Sequence, residues 1–231
     1  DMLVVSPHDG ELRDEYSALG VPVRILACLA AAGSDTASYG QAMLEFAVCC
    51  RDFAPAMLYA NVIDAFWAVD AASRLKLPAL WAIHESVDPL SWKADLAPAL
   101  RLAFLRSLAS VPRAVFVAQS TERLFAPYLR AGAAVVIPNA VDTAKINQIC
   151  GSLPRGEARR IIGAGEHDTV VTVIGTTALR KGQDIFLREM ALLKTRMPER
   201  SFRFMIVGAR KVEFLDVLVA MSKDLGLESE V

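Results

Sequence analysis

Short apolar runs alternate along this chain with longer segments in which apolar residues recur every three or four positions. The short runs predict β-strands, and the longer segments predict amphipathic helices. The expected strands are Met2–Val5, Val23–Leu26, Ala56–Ala60, Ala79–Ile83, Ala114–Ala118, Ala134–Ile137, Val170–Ile174 and Phe202–Val207. The expected helices are Glu11–Leu19, Gln41–Phe53, Ile63–Leu75, Leu96–Leu108, Thr121–Leu129, Ile185–Thr195 and Val212–Leu225. Since alternating strands and helices require crossover connections, we expect an α/β fold whose parallel sheets are covered on both faces.

The alternation lapses between residues 139 and 168, where prolines and glycines interrupt short polar helical segments. Residues 143–168 are the expected interdomain linker. It would separate a Rossmann-like domain over residues 1–142 from a second domain that begins at residue 169 and runs to residue 231. The second region has only two predicted strands and two predicted helices, which bury too little surface for an independent fold. We therefore expect an incomplete second domain and a chain truncated at both ends.

Composition narrows the class of protein. Of the 231 residues, 54% are apolar and 22% are charged, which supplies a sizeable core. The net charge of -1 gives no broad basic field, so we do not expect nucleic acid as a partner. The four cysteines lack both Cys-x-x-Cys spacing and a histidine cluster, so we expect buried free thiols and no metal or other cofactor. Because no apolar run reaches about 18 residues, we expect a cytoplasmic protein.

The segment from Gly175 to Asp184 is the strongest candidate for a binding site. It follows a β-branched apolar run and precedes a helical pattern, and it carries Arg180 and Lys181 just before Gly182. The first backbone N–H groups of a helix have no intrahelical partner, so they favour an anion, and the basic pair adds two full charges. The sequence therefore predicts a phosphate site. The alternative is an ordinary strand-loop-helix junction with a solvated basic pair.

Polar residues also follow the expected strands of the first domain. Asn61 follows one strand, His84 and Glu85 follow another, and Gln119 follows a third. Because the carboxyl ends of parallel strands meet at one edge of a sheet, these residues are candidates for an enzyme site. His84 is the main candidate, since imidazole titrates near neutral pH and exchanges hydrogen bonds with sugars or phosphates. The alternative is a half-buried histidine whose hydrogen bonds serve only the fold.

Several stretches, taken in order, resemble one enzyme family. They are residues 6–13 (SPHDGELR), 19–23 (LGVPV), 59–61 (YAN), 78–85 (PALWAIHE), 115–119 (VFVAQ), 137–142 (IPNAVD) and 175–184 (GTTALRKGQD). They are spread along most of the chain and resemble the two-domain GT-B glycosyltransferases, specifically the retaining group 1 enzymes of family 4.

The resemblance implies two Rossmann-like domains facing each other across a cleft, the first for an acceptor and the second for a nucleotide-activated sugar, with no bound metal. It implies that Arg180 and Lys181 neutralise the departing diphosphate, and that Gly175 and Gly182 let the backbone approach the phosphates. By the same correspondence, His84 lines the pocket for the donor sugar. The full set of implied site residues is His84 and Glu85 as catalytic, Gly175, Thr176, Arg180, Lys181 and Gly182 as phosphate-binding, and Asn61, Gln119 and Asn139 in the acceptor cleft.

The chain also departs from the family pattern. Many members have a phosphate-contacting arginine where this chain has Thr176, so neutralisation would depend more on Arg180 and Lys181. The paired glutamates that contact the donor in the family belong to a later part of the second domain, which is absent from this chain. We therefore expect that the chain by itself does not turn over.

The favoured function is transfer of a hexose-type unit, with retention, from a nucleoside diphosphate sugar to a glycan, lipid-linked or small-molecule acceptor. Two alternatives are a nucleotide-sugar epimerase on the same scaffold and a non-catalytic module that binds nucleotides or glycans. The expected helix over 96–108 carries Arg101 and Arg106, and Arg113 follows it. We interpret these arginines as a solvated helix face, with peripheral contact at the inner face of a membrane as a minor alternative.

Overall fold

The computed structural model describes residues 1–92, 94–209 and 212–229. The chain divides into two compact units, residues 1–140 and residues 141–231. The division lies two residues before the predicted domain boundary at residue 142. All strand pairs described in either unit are parallel, so the α/β class predicted from the alternation is confirmed.

The first unit contains six strands and five α-helices over its described residues. The elements in chain order are β1 (Val4–Ser6), α1 (Leu12–Ala18), β2 (Val23–Ile25), α2 (Thr36–Phe53), β3 (Leu58–Asn61), α3 (Phe66–Leu75), β4 (Ala79–Ile83), α4 (Pro98–Ser110), β5 (Arg113–Phe116), α5 (Gln119–Phe125) and β6 (Ala134–Val136). Strand β1 pairs with β2, and the other four strands form a sheet in the order β3-β4-β5-β6. The carboxyl ends of β3 to β6 therefore lie side by side.

The core of the first unit forms around β4. Trp81 and Ile83 are fully buried, because helices cover the sheet where β4 runs through its middle. The Trp81 ring meets Phe104 of α4 edge-to-face, with ring centroids 6.1 Å apart, and Phe104 meets Phe66 of α3 in the same way at 5.7 Å. Each such side chain contributes about 1.5–3 kcal/mol by leaving water. This aromatic cluster fixes the strands whose ends carry Asn61 and His84.

Helix α2 begins at Thr36, five residues before the predicted start at Gln41. The reason is an N-cap that the apolar periodicity does not show. The Asp35 carboxylate accepts hydrogen bonds from the backbone N–H groups of Ala37 and Ser38 and from the Ser38 hydroxyl. The Ser38 bonds lower the pKa of Asp35 below its ordinary value, because they favour the ionised form.

The second unit is smaller. Its elements are α6 (Thr143–Ser152), α7 (Arg155–Ile161), β7 (Thr169–Ile174), α8 (Gln183–Arg196), β8 (Phe202–Val207) and α9 (Glu213–Asp224). Strands β7 and β8 pair in parallel over six residues, from Thr169 opposite Phe202 to Ile174 opposite Val207. Leu187 of α8, Phe204 of β8 and Leu218 of α9 form the centre of its core.

The second half of the predicted linker over residues 143–168 is a bonded part of the second unit. Arg159 of α7 donates to the carbonyl of Gly165 at 3.0 Å and to that of Asp168 at 2.6 Å. Arg203 of β8 donates to the carbonyl of Ile162 at 3.2 Å. Residues 155–168 are therefore bonded to one another by Arg159 and to β8 by Arg203. The sequence pattern missed this because neither α6 nor α7 has a buried residue, so neither shows a strong apolar stripe.

Two composition-based expectations have mixed outcomes. All four cysteines are free thiols, and Cys49 and Cys50 are buried, but Cys150 on α6 is exposed, so the expectation of buried thiols is wrong there. The reason is that α6 buries none of its residues. Among the residues described, no helix is both long and apolar enough to cross a membrane.

Two of the three arginines considered for membrane contact form hydrogen bonds inside the first unit. The guanidinium of Arg101 donates to the carbonyl of Leu90, and that of Arg113 donates to the carbonyl of Gly132. Arg106 is close enough to Tyr39 for its charge to act on that phenol. These contacts favour the interpretation as a helix face of the folded unit, and membrane contact stays a minor prediction.

Candidate functional site

The segment from Gly175 to Gly182, which we call the second-unit loop, connects β7 to α8. Gly175 continues the strand ladder by donating its N–H to the carbonyl of Val207 at 2.9 Å. A short 3-10 turn over Leu179–Lys181 follows, and Gly182 then takes a left-handed conformation with φ of 67°. That conformation costs glycine nothing and most other residues about 1–2 kcal/mol, which explains why a glycine precedes the helix here. The predicted strand-loop-helix junction is confirmed.

The basic pair of the second-unit loop is available to a ligand. Arg180 and Lys181 are exposed, and neither side chain forms an ion pair or hydrogen bond with another described residue. The aliphatic part of Lys181 lies against Gly175, with its Cδ 3.4 Å from the place that a Cβ on Gly175 would occupy. Lys181 therefore lies across the backbone of Gly175 at a van der Waals distance.

Helix α8 begins directly behind this pair. Its N-cap is Gly182, so no side chain accepts from the first N–H groups of the helix. Those unpartnered N–H groups and the positive end of the helix dipole favour an anion. Asp184 in the first turn adds an opposing charge; its Oδ1 is buried and has no hydrogen-bond partner among the described atoms. The loop combines two free cations with an uncapped helix, and one carboxylate moderates its positive potential.

The floor of the loop is a close contact between two glycines. Gly208 follows β8 just as Gly175 follows β7, and its φ is +95°. A Cβ on Gly208 would lie 2.8 Å from the carbonyl oxygen of Gly175 and 3.1 Å from the carbonyl carbon. The two backbones can approach this closely only because Gly208 lacks a side chain.

In the first unit, the end of β3 meets the end of β4. His84 Nε2 is 2.9 Å from Asn61 Oδ1. One oxygen of the Glu85 carboxylate accepts the backbone N–H of Ile63 at 2.9 Å and that of His84 at 3.1 Å. We call this group of Asn61, Val62, Ile63, His84 and Glu85 the first-unit edge. Glu85 serves the backbone here, whereas the His84 side chain is exposed and Asn61 orients it.

Val62 gives the first-unit edge its unusual backbone. Its φ is 68° and its ψ is 159°, a region that β-branched residues rarely adopt and that costs about 1–3 kcal/mol. The surroundings hold it in place: Trp81 Nε1 donates to the carbonyl of Val62 at 2.9 Å, and Glu85 accepts the N–H of the next residue. The fully buried indole thus fixes a strained residue between Asn61 and Ile63.

A cavity of about 480 Å³ opens at the carboxyl ends of β1 and β3, within the first unit. Polar groups that line it include Ser6, His8, Asn61 and Asp64, and its other walls are largely apolar. A crevice at strand ends of an α/β sheet is where ligands of such folds bind. The cavity has room for a small polar molecule, and it shares Asn61 with the first-unit edge.

Two other predicted residues lie on the same sheet edge without joining this group. Gln119 is the exposed first residue of α5, after β5, and Asn139 is exposed in the segment after β6. No hydrogen bond connects either residue to Asn61 or His84 in the part of the chain that the structure describes. Strand spacing of about 4.8 Å places them progressively further from Asn61 along the edge. Among the described residues, no group of three His, Cys, Asp or Glu side chains could hold a metal ion.

No protein-family model matches this chain. One curated relative, D-inositol 3-phosphate glycosyltransferase from Rhodococcus jostii (strain RHA1), is 34% identical over 80 residues, which are 33% of this chain and 18% of that protein. This alignment is too short to assign the chain to a family.

Solved structures give a broader match. A glycosyltransferase from Rickettsia africae ESF-5 superposes with a TM-score of 0.67 over 99% of this chain and 58% of its own, at 14% identity. A trehalose-6-phosphate protein from E. coli bound with UDP-2-fluoro glucose gives 0.59 over 82% of this chain and 49% of its own, at 11% identity. The fold is that of the GT-B glycosyltransferases. The chain spans about half the length of these structures.

The GT-B fold does not choose the chemistry by itself. A putative UDP-N-acetylglucosamine 2-epimerase from Listeria monocytogenes also superposes, with a TM-score of 0.57 over 99% of this chain and 58% of its own, at 9% identity. The GT-B resemblance and the fold class predicted from the sequence are confirmed. The roles of the individual residues stay predictions.

Three residues of these regions were not predicted from the sequence. Gln183, the first residue of α8, is fully buried beneath the second-unit loop, although glutamine is usually exposed. Val62 has a positive φ that no sequence pattern suggests. Gly208 had a usable signal, since it ends β8 as Gly175 ends β7, and two glycines at neighbouring strand ends indicate a close backbone approach.

Proposed function

We propose that this chain belongs to a retaining glycosyltransferase that moves a sugar from a nucleoside diphosphate sugar to a glycan, lipid-linked or small-molecule acceptor. One observation carries the proposal: the second-unit loop presents Arg180 and Lys181, both without a described partner, in front of the uncapped start of α8. Residues 169–231 would then belong to the domain that binds the nucleotide sugar, and residues 1–142 to the acceptor side.

In this proposal the second-unit loop binds the diphosphate. Negative charge develops on the leaving diphosphate as the glycosidic bond breaks, so fixed cations stabilise the transition state more than the ground state. Arg180 offers a planar set of donors and Lys181 a compact charge. Gly175, Thr176 and Gly182 supply backbone close to the phosphates. No metal is needed where two cations and helix N–H groups already face the anion.

The first-unit edge has a complementary role. The imidazole of His84, oriented by Asn61, exchanges hydrogen bonds with a hydroxyl of the sugar, while Glu85 maintains the backbone that presents it. The cavity beside Asn61 takes part of the acceptor. Gln119 and Asn139 extend the polar edge in the direction of β6.

A nucleotide-sugar epimerase is the second candidate, because the epimerase from Listeria monocytogenes has the same fold over nearly the whole chain. Both activities require a diphosphate site, so the loop supports both. They differ in their products. A transferase releases the diphosphate only when an acceptor is present, whereas an epimerase returns an intact nucleotide sugar with one inverted centre.

The first experiment is calorimetric titration of the chain with UDP, GDP and their sugars. The test variant is Arg180→Ala/Lys181→Ala, and the matched control is Arg188→Ala/Arg196→Ala, which removes the same charge from exposed positions further along α8. We expect the test variant to lose about tenfold or more in affinity, as two charge-assisted hydrogen bonds disappear. The control should stay within about twofold of the wild type, because exposed charges at that distance are screened.

Absence of binding by the wild type to every nucleotide would overturn the proposal. Equal losses in the test and control variants would show a general field effect and no loop site. If binding is specific, product analysis of the full-length protein to which the chain belongs, with and without acceptor, separates the two enzyme hypotheses. Binding with neither product is the outcome that the non-catalytic alternative predicts.

A further inference from the structure

Gln183 is a polar side chain in an unusually buried position. It is the first residue of α8, and its exposed fraction is 0%. Burying an amide costs free energy unless its polar atoms find partners, so a glutamine is retained in such a place only where those partners exist. A methionine would fill the same volume without that cost.

All three partners of the Gln183 amide are backbone groups of the second-unit loop. Its Nε2 donates to the carbonyl of Thr176 at 3.0 Å and to that of Gly175 at 3.4 Å. Its Oε1 accepts the N–H of Ala178 at 3.4 Å. The strand ladder ends at Gly175, whose N–H pairs with Val207, so these bonds hold the stretch where the chain leaves the sheet.

The geometry requires an amide. Two backbone carbonyls and one backbone N–H of the loop face the same side chain. An amide matches them, because it has two N–H donors and one carbonyl acceptor. A carboxylate would repel both carbonyls, and an apolar side chain would leave three backbone groups without partners. The Gln183 side chain therefore holds the backbone of the loop from Gly175 to Ala178 in one conformation.

We propose that Gln183 is a positioning residue, which sets the path of the second-unit loop and so holds Lys181 and the first N–H groups of α8 in place for a diphosphate. Lys181 lies across Gly175, whose carbonyl is one of the groups that Gln183 binds. A change in the course of Gly175 and Thr176 would move the support on which Lys181 rests. The identity of the ligand depends on the proposed function, but the control of the loop does not.

The test uses Gln183→Met in the whole chain, with Leu187→Val as the control. Leu187 is fully buried on the same helix but belongs to the core of the second unit, so its truncation lowers stability without touching the loop. The first measurement is amide hydrogen exchange of the free protein. We expect exchange at Ala178 to accelerate about tenfold in Gln183→Met relative to Leu187→Val, because its acceptor is gone.

The second measurement is UDP affinity at several salt concentrations. We expect Gln183→Met to bind about fivefold more weakly than Leu187→Val and to show a shallower dependence on salt, since misplaced cations make fewer contacts with the diphosphate. A merely structural role would lower affinity only through stability and would leave the salt dependence unchanged. Should Gln183→Met fail to fold, Gln183→Glu keeps the shape and the acceptor, loses both donors, and is expected to weaken binding in the same way.

Two results would overturn the inference. One is exchange of the loop amides that is the same in Gln183→Met and Leu187→Val. The other is a loosened loop with unchanged affinity and salt dependence, which would make Gln183 only a structural residue. If the wild type binds neither UDP nor GDP, the proposed function fails, and the exchange measurement still decides whether Gln183 controls the loop.

Discussion

The first-unit edge and the second-unit loop solve the same problem with different residues. Both lie where parallel strands end, and in both the chain must turn sharply while its polar groups stay satisfied. The first-unit edge uses Val62 in a strained conformation, held by Trp81 and Glu85. The second-unit loop uses glycines with positive φ, held from below by one buried amide.

The difference has a chemical consequence. At the first-unit edge the polar side chains are already bonded to each other or to backbone, which suits the selective exchange of hydrogen bonds with a sugar hydroxyl. In the second-unit loop the side chains of Arg180 and Lys181 have no described partner, and glycines leave the backbone without side chains. This arrangement leaves room for a large anion. We therefore expect the first unit to lose stability when a side chain of the first-unit edge is removed. We expect the second unit to lose stability when a side chain is added beside the second-unit loop.

The largest expected effect tests the second half of that comparison. In Gly208→Ala the new Cβ would lie 2.8 Å from the carbonyl oxygen of Gly175, at a φ of +95°. We expect a loss of about 3 kcal/mol in the stability of the second unit, from overpacking and backbone strain together. Hydrogen exchange in β7 and β8 is the measurement.

The control for this variant is Gly151→Ala in α6, where a Cβ would meet nothing within 4 Å. Alanine favours a helix over glycine by up to about 1 kcal/mol, so this change should be neutral or stabilising. A tolerated Gly208→Ala would contradict the close approach of the two strand ends.

The next effect tests the first half of the comparison. Glu85→Ala removes the acceptor of two backbone N–H groups, those of Ile63 and His84. We expect the first unit to lose about 2 kcal/mol of stability, with Glu11→Ala, an exposed position, as the neutral control. All three tryptophans, Trp67, Trp81 and Trp92, lie in the first unit, so urea unfolding followed by their fluorescence reports this unit alone.

A smaller effect of opposite sign would sharpen the comparison. Val62→Gly relieves the strained φ, and because Val62 is 36% exposed, only part of that relief is offset by lost packing. We expect a gain of about 1 kcal/mol, because glycine adopts this conformation freely. Val135→Gly, at a similarly exposed position of the first unit without positive φ, should show no gain. A clear loss of stability in Val62→Gly, measured by urea unfolding, would mean that the strain is small.

The smallest effect concerns acid and probes the second unit. Asp168 lies at the start of β7, where its carboxylate accepts from the Ser201 hydroxyl at 2.5 Å and the Gly165 N–H at 2.6 Å. The Ser201 bond, the Gly165 bond and the charges of Arg159 and Arg203 lower the pKa of Asp168 below its ordinary value of 3.8. The folded state therefore holds the ionised form more tightly than the unfolded state does.

The stabilisation from Asp168 is complete above pH 3.8, and it is lost as the pH falls through the lowered folded value. In Asp168→Asn the second unit should be slightly less stable than in the wild type near neutral pH. That difference should shrink under acid, as followed by hydrogen exchange in β7. A difference that grows as the pH falls would contradict the sign.

The sequence by itself determined the elements and their class. Eight apolar runs became eight strands, the alternation with helices gave parallel pairing, and the glycines and basic pair between Val170 and Ile185 marked the strand-loop-helix junction. These features are local, since periodicity, glycine and charge act within a few residues of one another. The start of α2 escaped because it depends on a cap at Asp35. The packing of residues 155–168 escaped because it depends on side-chain bonds made by Arg159 and Arg203.

Only the tertiary structure decided which polar groups are free and which are already occupied. Glu85, predicted as catalytic, uses its carboxylate to hold two backbone N–H groups, while Arg180 and Lys181 remain without described partners. Gln183 is buried, Val62 is strained, and Gly208 touches Gly175, because strands distant in sequence end beside each other. Hydrogen bonding and burial depend on which segments are in contact in the folded chain. Sequence patterns do not show directly which distant segments those are.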